Sequence, residues 1–302
     1  MTPELEEWAA SGDFVGTALS DHRVFFRQSG DAGAAADDTL LVLHGFPESS
    51  YSFHKVADGL AQRFRRVVLF DMLGYGLSDK PESGYGYSLF EQADLALQVW
   101  RHLGVRGGHL LAHDMGTSVA TELAARQVGG TLPGAFEGGL LSFTFTNGSM
   151  VLDLAQLRAS QKVLLSRAGP WVSRLFSYRT FSQQVRSAHG TGGLDDKDLE
   201  LMWENICRQD GQRKNHLLIR YLNDRKRFEK TRWLPALARV RQPVHLCWGD
   251  ADAVARVEMT RYLKANVCTR AAVTLMPGVG HFCQISDPET WLRSVLGFYA
   301  SL

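Results

Sequence analysis

Short apolar runs rich in valine, leucine and phenylalanine recur along the chain. Gly, Pro, Asp or Asn bounds each run, and amphipathic stretches of helical length separate many of them. This alternation points to a mostly parallel sheet covered by helices. Strands are expected over Thr39 to His44, Arg66 to Asp71, Gly108 to His113, Leu140 to Thr146, Pro243 to Gly249 and Ala271 to Met276. Helices are expected over Ser88 to Leu103, Met115 to Arg126 and Pro288 to Ala300, and a hairpin over Phe14 to Gln28 at one sheet edge. The expected class is therefore α/β.

Between Ser149 and Ala236 the texture changes. Strand-like runs disappear, and Leu199, Leu201, Met202, Trp203 and Ile206, then Leu217, Leu218, Tyr221 and Leu222, recur at helical spacing. Because strands resume at Pro243, this helical insertion leaves the sheet after its sixth strand and rejoins it. It is expected to lie over the strands' C-terminal edge as a cap. The chain then divides into a first core part, residues 1–148, a helical cap, residues 149–236, and a second core part, residues 237–302. Gly190-Thr191-Gly192-Gly193 reads as a loop and not as a domain linker.

Charge narrows the partners. Of 302 residues, Lys plus Arg number 33 and Asp plus Glu 32, which gives no reason to expect nucleic acid or an anionic membrane. Cys207, Cys247, Cys268 and Cys283 are widely spaced without a CxxC pair, as free thiols in a reducing compartment would be. The acidic start Met1-Thr2-Pro3-Glu4-Leu5-Glu6-Glu7 lacks a signal-peptide pattern, and no apolar run approaches membrane-spanning length. A cytoplasmic protein is expected.

The candidate chemistry centres on Leu110-Leu111-Ala112-His113-Asp114-Met115-Gly116-Thr117. A sharp strand-to-helix turn tolerates only small side chains two places either side of its tip, and here Ala112 and Gly116 flank Asp114. That describes a nucleophile elbow with aspartate at the tip. Taken alone, Asp114 could equally cap the following helix. Three further segments fit the elbow. Leu43-His44-Gly45-Phe46-Pro47 ends a strand in a glycine turn, so the N–H groups of Phe46 and Met115 could form an oxyanion hole. Cys247-Trp248-Gly249-Asp250-Ala251-Asp252 offers two carboxylates, and Pro277-Gly278-Val279-Gly280-His281-Phe282 a glycine-flanked histidine after the last strand. The chain order is nucleophile, acid, histidine.

That order and these spacings resemble the α/β-hydrolase superfamily over almost the whole chain, with Asp71-Met72-Leu73-Gly74-Tyr75-Gly76-Leu77-Ser78-Asp79 similar to its turn before the elbow. The Asp tip and the HGFP loop are most similar to the epoxide hydrolase and haloalkane dehalogenase branch. Arg220-Tyr221-Leu222-Asn223-Asp224-Arg225-Lys226-Arg227-Phe228 resembles the mesoderm-specific-transcript relatives within it. The resemblance implies a cofactor-free hydrolase of small hydrophobic epoxides or alkyl halides, using water. Carboxylate attack on an sp³ carbon gives a stable alkyl ester, whereas attack on an ester carbonyl gives an anhydride. It further implies His281 as base toward water and, through the W-G-x-x-D pattern, Asp252 as its acid partner, with Asp250 open on sequence alone. Tyr221 falls about where the second leaving-group tyrosine of epoxide hydrolases stands, while Tyr178 comes later than the spacing of the first. Met115 and Phe46 occupy the positions of the Trp and Asn that hold halide in dehalogenases. Ligand-binding homologues with little turnover are the non-enzymatic alternative.

Several residues carry simpler readings. His44 and His113 flank the site without an HxH or HxxxH pair, so no metal is expected. His44, Tyr178 and Trp203 are assigned to the substrate pocket, although Trp203, Trp233 and Phe228 also suit the packed interior of the cap. Arg225, Lys226 and Arg227, with Lys230 and Arg232, read as a solvated helix face interrupted by Asp224 and Glu229. Cys283 is expected to pack beside the site.

Overall fold

The structure is a computed structural model that describes the chain except residues 18–19, 156–158 and 191–193, and leaves aside the side chains of residues 17, 20 and 21. Its centre is an eight-stranded sheet: β1 (Asp13–Thr17), β2 (Ser20–Gly30), β3 (Thr39–Leu43), β4 (Arg66–Phe70), β5 (Gly107–His113), β6 (Gly139–Thr146), β7 (Val244–Gly249) and β8 (Ala272–Met276). The spatial order is β1-β2-β4-β3-β5-β6-β7-β8. β1 and β2 pair antiparallel at one edge, β2 runs antiparallel to β4, and all other neighbours are parallel. The turn of the edge hairpin lies outside the described residues, as do Thr191, Gly192 and Gly193 of the glycine-rich loop.

The continuous apolar runs are explained by cover on both faces. Leu41, Leu43, Val68 and Phe70 pack toward the helices Leu89–His102 and Met115–Val128. Their alternate neighbours Leu40, Val42, Val67 and Leu69 pack toward Leu60 and Trp291, on the helices Ala57–Arg63 and Pro288–Ala300. Every residue of β3, β4 and β5 is buried, whereas edge strand β8 leaves Val273 and Leu275 partly exposed. The helix Leu89–His102 starts at a reciprocal cap: Ser88 Oγ accepts from Glu91 N–H at 3.1 Å, and Glu91 Oε2 accepts from Ser88 N–H at 2.9 Å.

Parallel register brings the strand ends to one edge. Leu43 pairs with Ala112, His113 with Thr146, Thr146 with Cys247, and Gly249 with Met276. The loops that leave these ends therefore rise together on the same side. Between β6 and β7 the chain is helical, from the turn Leu152–Leu154 to the helix Leu234–Arg239. Among the described residues no helix is long and apolar enough to cross a membrane.

A buried carboxylate fastens the end of this insertion to the core. Glu122 accepts from Arg126 Nε at 2.9 Å, from Arg232 Nε at 2.7 Å and Nη2 at 2.9 Å, and from Trp233 Nε1 at 2.9 Å. Arg126 also pairs with Asp94. Glu122→Ala strands the indole N–H and removes the shared anion of two arginines. The expected loss of stability is about 3–5 kcal/mol, read as a lower midpoint in urea unfolding followed by circular dichroism. A loss within ~0.5 kcal/mol, the scale of an ordinary surface change, contradicts this account of the anchor.

Candidate active site

Loops from five strand ends, those of β3, β5, β6, β7 and β8, converge on one cavity. Asp114 follows β5 with φ 46° and ψ −117°, a backbone that non-glycine residues seldom adopt. The turn closes because its neighbours are small. A Cβ on Gly116 would lie 2.5 Å from the His44 carbonyl oxygen, and one on Gly45 would lie 2.6 Å from Asp114 Cβ. The Asp114 side chain makes no cap hydrogen bond to the helix that follows. Its Oδ2 instead accepts from Phe46 N–H at 2.8 Å, and its Oδ1 lies 3.5 Å from His281 Nε2. Met115 supplies the first N–H of that helix, and its sulfur receives the Tyr75 hydroxyl at 3.4 Å.

The other ring nitrogen, His281 Nδ1, lies 2.8 Å from Asp252 Oδ2. Asp252 Oδ1 accepts from the N–H groups of Val254 at 2.6 Å and Ala255 at 2.9 Å. Its Oδ2 also accepts from Asn147 Nδ2 at 2.7 Å. Asp250 is exposed and takes the Gly278 N–H at 2.7 Å, so of the two carboxylates it is Asp252 that reaches the histidine. Asn147 was missing from the sequence expectations. It follows β6 with φ 44° and accepts the Gly249 N–H through Oδ1 at 3.0 Å, so it ties the end of β7 to the Asp252 carboxylate. Its sequence signal, an Asn-Gly pair at a strand end, is the same as that of any tight turn.

Asp114, His281, Phe46, Tyr221 and Arg225 line a cavity of about 310 Å³, bordered on the far side by apolar and uncharged polar residues of the helical insertion. An alpha/beta hydrolase fold profile matches residues 38–288. The chain belongs to the α/β-hydrolase fold family.

Within this family it is 38% identical over 299 residues to LipZ of Mycobacterium tuberculosis, covering 98% of each chain. It is 33% identical over 311 residues to the mesoderm-specific transcript homolog protein of Homo sapiens, covering all of this chain and 89% of the other. Among solved structures, haloalkane dehalogenase DbeA of Bradyrhizobium elkani shares the fold with a TM-score of 0.76 at 23% identity, over 96% of this chain and 98% of that one. The epoxide hydrolase CorEH shares it too.

Four sequence expectations need correction. His44 does not line the cavity: its Nδ1 bonds the Gly45 carbonyl at 2.8 Å, its Nε2 accepts the Met72 N–H at 2.9 Å, and its ring packs on Tyr75, so it braces two loops. Tyr178 and Trp203 also lie off the cavity, packed on each other at 6.1 Å, with Phe176 and Phe181 also on the Trp203 ring. The basic run is not uniformly solvated. Lys226, Arg227 and Lys230 are exposed, but Arg225 is only 2% exposed and Arg232 turns inward to Glu122. Tyr221 is both a packed interior residue and a cavity wall. Cys283 is buried, and burial pushes its thiol well up.

The charges of the site are strongly coupled. Burial pushes the Asp114 carboxyl up, but the hydrogen bond and charge of His281 outweigh it and hold the group well below the usual carboxylate range. Burial alone would lower His281, yet Asp252 and Asp114 together raise it well above an ordinary histidine. The two carboxylates thus favour a protonated His281 ring beside an ionised Asp114. Burial raises the Tyr221 hydroxyl, partly offset by Arg225, so it remains a protonated donor at neutral pH. Because two carboxylates hold the His281 proton, removing either charge should release it. The ring of His281, followed by its imidazole proton resonances in an NMR pH titration, should titrate well above 6.5 in the wild type and at distinctly lower pH in Asp114→Asn. An unchanged midpoint in that variant refutes the coupling.

Proposed function

We propose that this α/β-hydrolase works through a covalent alkyl ester on Asp114 and opens epoxides to vicinal diols. The observation that carries the reading is the Asp114 carboxylate itself, held on Phe46 N–H, facing the cavity and 3.5 Å from His281 Nε2. In the first step an Asp114 oxygen bonds to an epoxide carbon, and the C–O bond on its far side breaks. The electron pair goes to the departing oxygen, which Tyr221 hydrogen-bonds across the cavity and which takes up the proton that His281 releases as Asp114 loses its charge, leaving Tyr221 protonated and His281 neutral. In the second step His281 takes a proton from water, which attacks the ester carbonyl. The resulting oxyanion rests on the N–H groups of Phe46 and Met115, and its collapse releases the diol. Asp252, itself fixed by Asn147, orients His281 and stabilises its charged form. Residues 149–236 act as the cap that closes the site.

Proton count favours this reaction over halide displacement. When Asp114 becomes a neutral ester, one of the two anions that hold the His281 proton disappears. An opening epoxide oxygen must gain a proton at that moment, whereas a departing halide needs none. The imidazole is then neutral when it is needed as base, and ester hydrolysis returns the proton to it. Met115 and Phe46 also stand where the resemblance would put halide donors.

His281→Gln should stall the second step, so intact-mass spectrometry after incubation with an epoxide should find a species heavier by the full epoxide mass. An adduct carrying only the alkyl group of a haloalkane, with none from epoxides, turns the assignment to dehalogenation. No adduct with either panel in a folded protein leaves a binding homologue and refutes the nucleophile. Tyr221→Phe should slow single-turnover alkylation on the order of a hundredfold while ester hydrolysis stays nearly the same; equal alkylation rates remove Tyr221 from the reaction.

A further inference from the structure

Arg225 is a buried cation in the wall of the cavity that the proposed reaction leaves unused. Its Nε donates to Ser118 Oγ at 2.8 Å, which fixes the plane of the guanidinium, and its charge sits 4.8 Å over the Tyr221 ring. Nη2 is buried and has no hydrogen-bond partner, and no carboxylate of the described residues forms an ion pair with it. Leaving a charged donor unmatched in a dry site is costly, and such a group is met elsewhere by an anion or an ordered acceptor. Glu229, four residues on, is the local competitor. Its Oε2 is taken by the Leu152 N–H at 2.6 Å, and burial raises its carboxyl toward the neutral form, which weakens it as a counter-charge. Glu229 does not line the cavity, whereas Arg225 does.

Much of the remaining wall is apolar, with Leu164, Val172, Phe176, Phe181, Val185 and Val254 facing the same space beside the uncharged polar residues Ser160, Gln161, Thr180, Gln184 and Asn215. We infer that the cavity recognises an amphipathic carboxylate, with the carboxylate group on the Arg225 guanidinium and an apolar chain against the cap. This names a substrate class for the proposed reaction and rests on that reading only in placing the reacting carbon in the same cavity. The guanidinium offers paired N–H donors in a plane, which suits a carboxylate better than a single hydroxyl. The position also separates charges sensibly. Asp114 repels a second carboxylate, so the anionic end is drawn to Arg225 and a carbon further along the chain is the part left facing the Asp114 oxygen.

Calorimetric titration with octanoate and with octanol tests this without any turnover. The full-length protein should bind octanoate at least tenfold more tightly than octanol. Arg225→Gln should weaken octanoate on the order of tenfold to a hundredfold, the worth of a charge-assisted hydrogen bond, and leave octanol nearly unchanged. Arg225→Lys, which keeps the charge without the planar fork, should fall between. If Arg225→Gln does not fold, Ser118→Ala releases Nε while keeping the cation and should lower octanoate affinity selectively. Equal affinity for the two ligands overturns the inference. So does a loss of thermal stability in Arg225→Gln and Glu229→Gln alike with the preference for octanoate intact, since Nη2 then serves Glu229. Arg225-dependent octanoate binding without an Asp114 adduct sinks the covalent reading alone, and an adduct formed with no carboxylate preference sinks this one alone.

Discussion

The site depends on how closely two backbones approach at the tip of β5. Asp114 takes a left-handed turn between a buried strand and a helix, and that turn fits only because the loop after β3 passes directly beneath it. A side chain at Gly116 would meet the carbonyl of His44, and one at Gly45 would meet Asp114 itself. This contact fixes the distance between the carboxylate and the Phe46 N–H, and hence where any oxyanion on Asp114 would rest. Strain stored in the turn persists because strands on both sides over-determine it: β5 is bonded to β3 on one side and β6 on the other.

Charge balance is the second constraint. Asp114, Asp252, His281 and Arg225 are all nearly inaccessible to solvent. Asp114 and Asp252 both face the His281 imidazolium, which makes their burial tolerable, whereas Arg225 has no carboxylate in ion-pair contact among the described residues. Alkylation of Asp114 in the proposed reaction would break that balance and put a new anion on the leaving atom. The excess positive charge then lies inside the cavity, where it favours the departing group and loosens the His281 proton. One charge cancellation thus serves both half-reactions.

Much of this was legible in the sequence, for reasons that differ by residue. The six parallel strands were readable within a residue or so at their ends because burial on both faces leaves unbroken apolar runs between turn residues, as in Thr39–Leu43 and Arg66–Phe70. Asp114 was readable because a tight elbow restricts its neighbours, and His281 because it follows the last strand. What escaped depended on direction in space. Asp252 was preferred to Asp250 only through the W-G-x-x-D pattern of the resemblance, because the residues alone do not show that the turn at Val254 and Ala255 aims Asp252 at the histidine. His44 looked like a pocket residue because it stands two places before Phe46, yet its ring turns back onto the Met72 N–H and Tyr75. Arg225 was hidden in a run of charges of which Lys226, Arg227 and Lys230 are exposed; which members turn inward depends on the angle at which the helix docks, and composition does not encode that.

The docking angle has its own physical cause, and it ties the helical insertion to the elbow that carries Asp114. Ser118 and Glu122 are four residues apart on the helix that begins after Asp114, so they share one face of it. Ser118 holds Arg225, and Glu122 holds Arg232 and Trp233. At a rise of about 1.5 Å per residue, Ser118 stands about 6 Å along the helix from Asp114 and Glu122 about 12 Å. The same rigid rod therefore carries the Asp114 carboxylate at its tip and two fastenings for the helical insertion further along. The depth of the cavity above Asp114 is set by that ruler, and a change in cap sequence that keeps both fastenings can reshape the apolar wall without moving the guanidinium relative to the carboxylate.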